Sequence, residues 1–341
     1  MSDKDSKPAP PTSPPPGQQT LTIEQGLALA MQHLSANRPS EAADVYQLIL
    51  QSDPAQPVAL HRLGVIAHQM GRSETAVDLI TMAIANKPDY VGAHNNLGNV
   101  LKQQGKLDEA VDSYRRALAV KPDYAEAHNN LGNAFTEQGK LDEAIDSYRK
   151  ALAIQPNFTD AHNNLGNLLK QQGKLDEAVA SYRRALAILP DFAEGHCNLG
   201  TALKNQGKLD EAIASYRKAL AIKPDYAEAH NNLGTALHNL GKLDEAVVSY
   251  RKALSLQPDF ADVHNNLGNA LQGLWRLDES VASYSKALAI KPDFTEAAGS
   301  MGSVLLALGK LKEGLALERT GFGVIDFDIE RGVSINYGSM K

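Results

Sequence analysis

The sequence is short of several residue types and patterns, and each shortage excludes a class of protein. A single cysteine, Cys197, excludes an intramolecular disulfide and is typical of a reducing compartment. Lys and Arg number 34 against 40 Asp and Glu, without a basic stripe, so nucleic acid is not an expected partner. No apolar run approaches the length of a membrane span, and none follows Lys4 and Lys7. We therefore expect a soluble, cytoplasmic protein with no contact to a membrane.

Catalytic motifs are missing as well. We find no nucleophile and base pair, phosphate-binding loop or metal-ligand cluster outside a pattern that repeats along the chain. Asp326-Phe327-Asp328 mimics the metal-binding acid pair of many glycosyltransferases, but the chain leaves no room for a nucleotide-sugar fold there. The sequence therefore predicts a protein that is not an enzyme and uses no cofactor or metal.

What the sequence has in abundance is one repeated segment. The stretch His94-Asn95-Asn96-Leu97-Gly98-Asn99 returns every 34 residues with little change, at His128, His162, His196, His230 and His264. A period of this length is typical of an array in which one small unit is copied and each copy contacts only its neighbours. We predict repeats at 23–56, 57–90, 91–124, 125–158, 159–192, 193–226, 227–260 and 261–294, with a partial repeat at 295–317.

Each repeat predicts a pair of helices. In 91–124, Leu101 lies at helical spacing on a first helix and Tyr114 on a second. Gly105 lies between them, where a left-handed backbone ends the first helix at little cost. Pro122 ends the second, because the residue before a proline is pushed out of the helical conformation.

These positions resemble the tetratricopeptide repeat, whose pattern is matched in 91–124 by Leu97, Gly98, Leu101, Ala110, Tyr114, Ala117 and Pro122. The resemblance covers about 85 to 90 per cent of the chain. It implies an all-α fold, a right-handed α-solenoid of tandem helix-turn-helix repeats. His94 and its copies stand where the family usually has an aromatic residue, and we expect each to donate one hydrogen bond at the helix contact. Trp275 replaces the glycine between two helices, which predicts a different turn and a kink.

The two ends of the chain depart from the pattern. Residues 1–20 are rich in proline and are expected to be a disordered leader, with order beginning at a capping box that Thr22 opens. Residues 318–341 alternate apolar and polar side chains about Arg331-Gly332, which predicts a β-hairpin that caps the last helices or pairs with another chain. An uncovered solenoid end would be a surface for self-association.

The first helices also carry repeated asparagines, although asparagine is a poor helix former. In the tetratricopeptide family the first helices line the inner face, so the resemblance places these amides in a groove. The row is similar to the asparagine ladder of the tetratricopeptide arm of O-linked N-acetylglucosamine transferase, which grips acceptor polypeptides. Each amide could hold the main chain of an extended peptide without reading its sequence. We predict a peptide-binding site at Asn95, Asn96, Asn99, Asn129, Asn130, Asn133, Asn163, Asn164, Asn167, Asn198, Asn232 and Asn266.

The predicted function is a non-catalytic scaffold for protein–protein interactions that binds an extended polypeptide, with amides that bind ligand rather than hold the stack. The basic clamp by which some members of the family hold a terminal carboxylate is missing, since acidic residues and asparagines occupy its positions. One alternative is a substrate-recruiting arm of a glycosyltransferase-type enzyme whose catalytic part is absent or lies on another chain. Another is a spacer without a groove ligand, in which the asparagines only reflect recent duplication of one repeat.

Overall fold

The computed structural model describes the backbone of residues 21–322, 324–328 and 332–336, and side chains up to residue 319. The predicted leader at residues 1–20 lies outside the described residues. The chain divides into two compact units, an N-terminal unit, Met1–Ser147, and a C-terminal unit, Tyr148–Lys341. Each is a tandem array of paired helices.

The N-terminal unit contains seven helices and the start of an eighth. Thr22 and Gln25 form the predicted capping box: the Gln25 backbone N–H donates to Thr22 Oγ1 at 3.2 Å, and the Thr22 N–H to Gln25 Oε1 at 2.9 Å. The helices are α1 (Ile23–Ser35), α2 (Pro39–Ser52), α3 (Pro57–Gln69), α4 (Ser73–Asn86), α5 (Val91–Gln103), α6 (Leu107–Val120), α7 (Ala125–Glu137) and α8 (Leu141–Ile154), which continues past Ser147.

The C-terminal unit continues the alternation. Odd-numbered helices are the first helices of the predicted repeats and even-numbered ones are the second helices. The elements after α8 are α9 (Thr159–Gln171), α10 (Leu175–Ile188), α11 (Ala193–Asn205), α12 (Leu209–Ile222), α13 (Ala227–Asn239), α14 (Leu243–Leu256), α15 (Ala261–Gly273), α16 (Leu277–Ile290), α17 (Thr295–Ala307), α18 (Leu311–Phe322), β1 (Val324–Asp328) and β2 (Gly332–Asn336).

Within a repeat, a glycine and a tyrosine set how closely the two helices approach. A Cβ atom on Gly166 would lie 2.7 Å from the ring of Tyr182, closer than real Cβ contacts allow. Tyr182 is fully buried, and its hydroxyl donates to Asn167 Oδ1 at 2.7 Å. Gly98 and Tyr114 pack in the same way in the N-terminal unit. The first helix therefore lies directly on the tyrosine ring of the second.

The prediction of a different turn and a kink at Trp275 is wrong. The Trp275 N–H donates to the Gln272 carbonyl and the Arg276 N–H to the Leu271 carbonyl, both at 2.9 Å, as in the glycine turns of the other repeats. Trp275 adopts the left-handed conformation itself, with φ of 58°. The backbone keeps its path because the indole leaves the turn into solvent, where 80% of the residue is exposed.

The last helix and a strand pair lie around the predicted C-terminal boundary. Helix α18 runs to Phe322, five residues beyond Leu317, the predicted end of the partial repeat. Strands β1 and β2 pair antiparallel, with Asp328 opposite Gly332, so Gly332 belongs to a strand. A strand pair by itself does not support a cap. The side chains that would cover the last helices lie outside the described residues, and the cap stays a prediction.

Candidate protein-binding face

Successive first helices contact one another directly inside each compact unit. In the N-terminal unit α3 contacts α5 and α5 contacts α7; in the C-terminal unit α9, α11, α13, α15 and α17 form such a row. Successive second helices make no comparable contact in the described part of the chain. Within each unit, the first helices therefore lie on the shorter side of the stack, and their exposed surface forms its concave side.

The first asparagine of the repeated pair is buried. Asn95, Asn129 and Asn163 expose 1%, 6% and 5% of their surface. Asn95 Oδ1 accepts a hydrogen bond from Asn130 Nδ2 at 3.1 Å, and Asn163 Oδ1 accepts one from Asn198 Nδ2 at the same distance. These three residues are part of the predicted peptide-binding site. Packing between neighbouring first helices covers them.

The second asparagine of the pair is half-exposed, at Asn96, Asn130, Asn164, Asn198, Asn232 and Asn266. Besides the two bonds above, Asn266 Nδ2 donates to Asn231 Oδ1 at 3.3 Å, and Asn232 Nδ2 lies 3.8 Å from Cys197 Sγ. We call this set of inter-repeat bonds the amide ladder. The expectation that these amides do not hold the stack is wrong, because each ladder bond joins consecutive repeats. Yet a ladder bond uses only one of the two N–H groups of an amide.

The third asparagine of the motif accepts a hydrogen bond from the tyrosine of the second helix. Asn99 Oδ1 accepts from the Tyr114 hydroxyl at 2.8 Å, as Asn167 does from Tyr182. Asn133 lies at the same position and is half-buried. In two later repeats a threonine takes this place, and Tyr250 still donates to Thr235 at 3.3 Å. The third position thus anchors the second helix to the first.

The six repeated histidines each make the single hydrogen bond that the sequence predicts. Their Nε2 atoms lie 2.8 to 3.0 Å from the carbonyl oxygens of Pro88, Pro122, Pro156, Pro190, Pro224 and Pro258. A carbonyl can only accept, so Nε2 carries the proton. Burial lowers the pKa of His162 and of His264, which favours the neutral ring. The described residues contain no group of histidine, cysteine and acidic side chains that could hold a metal.

His61 was not identified from the sequence. It occupies the place of the buried asparagine in the repeat 57–90, and its Nε2 accepts from Asn96 Nδ2 at 2.9 Å. Its Nδ1 lies 3.0 Å from the Tyr90 hydroxyl. Burial, together with the neighbouring Arg62, lowers the pKa of His61 to about 4. The clue in the sequence was the alignment of His61 with Asn95 under the 34-residue period.

Charged side chains of both signs flank the amides. Asn95 Nδ2 lies 3.4 Å from Glu126 Oε1, and Asn163 Nδ2 lies at the same distance from Glu194 Oε1. Lys102 pairs with Glu137 at 2.9 Å. Acidic and basic side chains therefore both lie beside the amides on the first helices.

Fold and face together define a helical repeat protein whose first helices present a polar surface. A TPR repeat model matches residues 98–139, 132–173, 166–207, 202–241 and 234–274, and further tetratricopeptide repeat models match 27–91 and 261–294. The chain belongs to the tetratricopeptide repeat family. No helix in the described part of the chain is long and apolar enough to cross a membrane.

Two solved structures with TM-scores above 0.5 share the fold of this chain at low sequence identity. The Cut9–Hcn1 hetero-tetramer of the APC/C matches with a TM-score of 0.57 and 20% identity, over 83% of this chain and 56% of that one. The Pseudomonas aeruginosa pilF protein matches with a TM-score of 0.55 and 22% identity, over 61% of this chain and 94% of that one. YrrB, described as a TPR protein with an unusual peptide-binding site, is 26% identical over 54% of this chain and 95% of that one, with a TM-score of 0.47. No curated protein matches the chain.

Proposed function

We propose that this protein is an interaction scaffold without a catalytic role of its own, which binds an extended polypeptide along the concave side of its first helices. The observation that carries the proposal is the row of half-exposed amides on successive first helices, such as Asn198, Asn232 and Asn266 in the C-terminal unit. Membership of the tetratricopeptide repeat family supports the class of function. We place this activity in the cytoplasm.

The chemistry of the row suits the main chain of a ligand. Asn198 donates one side-chain N–H to Asn163 Oδ1. The second N–H and the side-chain carbonyl oxygen of Asn198 are then left for a peptide group. Consecutive first helices are about 10 Å apart, and an extended chain rises about 3.3 Å per residue. One amide would therefore meet the ligand at about every third residue. A segment of about ten residues would span Asn164 to Asn266, with little dependence on its side chains.

Fluorescence anisotropy with labelled peptides of about twelve residues tests the proposal. Scrambled versions of one near-neutral peptide should bind with similar affinity, because the contacts are to the main chain. A version with N-methylated peptide groups should bind much more weakly, because it cannot donate those hydrogen bonds. Strong dependence on sequence, or equal binding of the methylated peptide, would refute main-chain recognition.

A triple variant tests the residues. Asn198→Ala, Asn232→Ala and Asn266→Ala together should weaken binding by more than about tenfold, since each lost amide contact costs about 0.5 to 1.5 kcal/mol. Asn163→Ala is the matched control. It removes the buried acceptor of a ladder bond and leaves the exposed edge of Asn198 in place. If the control weakens binding as much as the triple variant does, the amides only hold the stack.

A further inference from the structure

Lys170 and Lys204 occupy the same position in two consecutive repeats, near the ends of α9 and α11. The two helices contact each other directly, and both lysines are half-buried. Neither lysine forms an ion pair or a hydrogen bond with another residue that the structure describes. We call Lys170 and Lys204 the lysine pair. Two positive charges without a counter-ion therefore lie side by side on neighbouring first helices.

The equivalent lysine of the N-terminal unit is neutralised. Lys102 Nζ lies 2.9 Å from Glu137 Oε1, a carboxylate on the following first helix. Counted by the repeat, Asn205 stands in the place of Glu137 for Lys170, and Asn239 does so for Lys204. Neutral amides thus replace the acid at both junctions, and the lysine pair keeps its full charge.

The surroundings of the lysine pair favour an anion. Burial lowers the pKa of Lys204, Cys197 acts in the opposite direction, and the neighbouring Lys170 lowers the pKa further. A half-buried ammonium group with a like charge nearby is stabilised by an anion that reaches it. Since the described part of the chain supplies no such anion to either lysine, a ligand is the expected source.

The lysine pair lies in line with the amide ladder. Lys170 follows Asn163 by seven residues, which is two helical turns, so both side chains lie on the side of α9 that faces α11. The two positions are about 10 Å apart along the helix. Helical side chains point toward the N-terminus of their own helix, so the lysines lean back toward the amides. A side chain of a peptide bound at Asn198 can therefore meet them.

The acidic side chains of this face lie at the opposite ends of the same helices. Asp160 precedes Lys170 by ten residues and Glu194 precedes Lys204 by ten, which is about 15 Å along each helix. Glu194 already lies beside the amide ladder, with its Oε1 3.4 Å from Asn163 Nδ2. A carboxylate placed between the lysines is therefore closer to them than to these acids.

The turns beyond the lysine pair add no net charge. Each turn carries one lysine, and each following second helix begins with one aspartate; these residues are Lys174, Lys208, Asp176 and Asp210. The next carboxylates are paired, since Glu177 lies 3.4 Å from Arg149 and Glu211 lies 3.0 Å from Arg183. The lysine pair is thus a local excess of positive charge at the C-terminal ends of the first helices.

We propose that the lysine pair selects an extended polypeptide that carries an aspartate or glutamate side chain, whose carboxylate lies between Lys170 Nζ and Lys204 Nζ. This inference rests on the peptide binding proposed above. Main-chain contacts to the amides hold the segment, and the lysine pair fixes which of its residues lies over α9 and α11. The lysines do not stand at the positions of the terminal-carboxylate clamp, which acids and asparagines occupy. The ligand is therefore an internal acidic side chain.

The first experiment compares two labelled peptides that differ only by glutamate or glutamine at one central residue. Both end in an amide, so only the side chain carries a carboxylate. In fluorescence anisotropy at low salt, the unaltered protein should bind the glutamate peptide about fivefold more tightly. High salt should reduce this preference, because it screens the charges.

Lys170→Gln together with Lys204→Gln should abolish the preference and leave binding of the glutamine peptide unchanged. Glutamine occupies this position in the repeat 261–294, as Gln272, so the fold accepts it. Lys174→Gln with Lys208→Gln is the matched control, since it removes the same charge from the exposed turns of the same repeats. The control should keep the preference. A preference that survives in the first variant, or that is lost equally in the control, overturns the proposal.

Charge reversal gives a second test. Lys170→Glu with Lys204→Glu should favour a peptide with lysine at the central residue over the glutamate peptide, because the sign of the site is then inverted. If the unaltered protein binds the glutamate and glutamine peptides equally, the lysine pair has no selective role, and main-chain recognition is unaffected. If neither peptide binds, peptide binding itself is refuted and this inference falls with it.

Discussion

The glycine under each tyrosine ring is the residue least able to change. Gly166→Leu should destabilise the protein by about 3 kcal/mol or more, because even a Cβ atom there would lie 2.7 Å from Tyr182. Urea unfolding followed by circular dichroism measures the effect. Gly173→Ala is the control. It has φ of 74° and open space around it, so it should cost only about 1 kcal/mol through backbone strain. Equal losses in the two variants would mean that packing on the tyrosine is not the constraint.

His61 should make the stability of the protein depend on pH. Its pKa is lowered from 6.5 to about 4 in the folded protein, so the neutral ring stabilises the fold above pH 6.5. This contribution should be lost as the pH falls from 6.5 to 4, because the unfolded chain then binds the proton more readily. The loss should reach about 3 kcal/mol at most.

The measurement is the free energy of unfolding at several pH values, compared between the unaltered protein and His61→Asn. Asparagine occupies the same position in the next repeat, as Asn95, and offers an acceptor that does not titrate. The difference between the two proteins should therefore grow below pH 6.5. A constant difference across this range would show that His61 titrates normally.

At the scale of helices, the amide ladder lacks its last hydrogen bond, between α15 and α17. Asn265 Oδ1 is buried and has no hydrogen-bond partner among the described residues, and Ser300 stands where the donating asparagine of the next repeat would be. Ser300→Asn should supply that donor and stabilise the protein by about 1 kcal/mol. A rise in melting temperature that Ser300→Ala does not reproduce would support this. An unchanged or lower melting temperature would contradict it.

The helices and turns could be predicted from the sequence because their signals are local. Gly105 and Pro122 end helices by their own backbone preferences, and the 34-residue period shows which positions are equivalent. The different structural roles of the first and second asparagines of each repeat could not be predicted. Asn95 and Asn96 are adjacent and chemically identical, and only the packing of the next first helix buries one and leaves the other half-exposed. The kink predicted at Trp275 was wrong for a similar reason. The sequence alone does not show whether a residue other than glycine adopts the left-handed backbone conformation at that turn.

At the scale of the whole molecule, the segment after α18 is expected to protect the end of the array. A chain that stops at Phe322 lacks both strands and should expose the apolar side chains of the last helices. We expect this variant to self-associate or aggregate in size-exclusion chromatography. A soluble monomer with an unchanged melting temperature would show that the segment has no covering role.

The ladder bonds also bear on how such a chain can change length over generations. Asn198 reaches back to Asn163, and Asn163 lies 3.4 Å from Glu194 ahead of it, so every contact depends on a fixed spacing. An in-frame loss of residues 193–226 would bring Asn232 to the place of Asn198 and Glu228 to the place of Glu194. Recombination between misaligned repeats of one gene could therefore shorten or lengthen the row of first helices in steps of one repeat. In each shortened or lengthened chain, the side chains at every junction between repeats would find the same hydrogen-bond partners. The length of the array could therefore change without rebuilding its hydrophobic core.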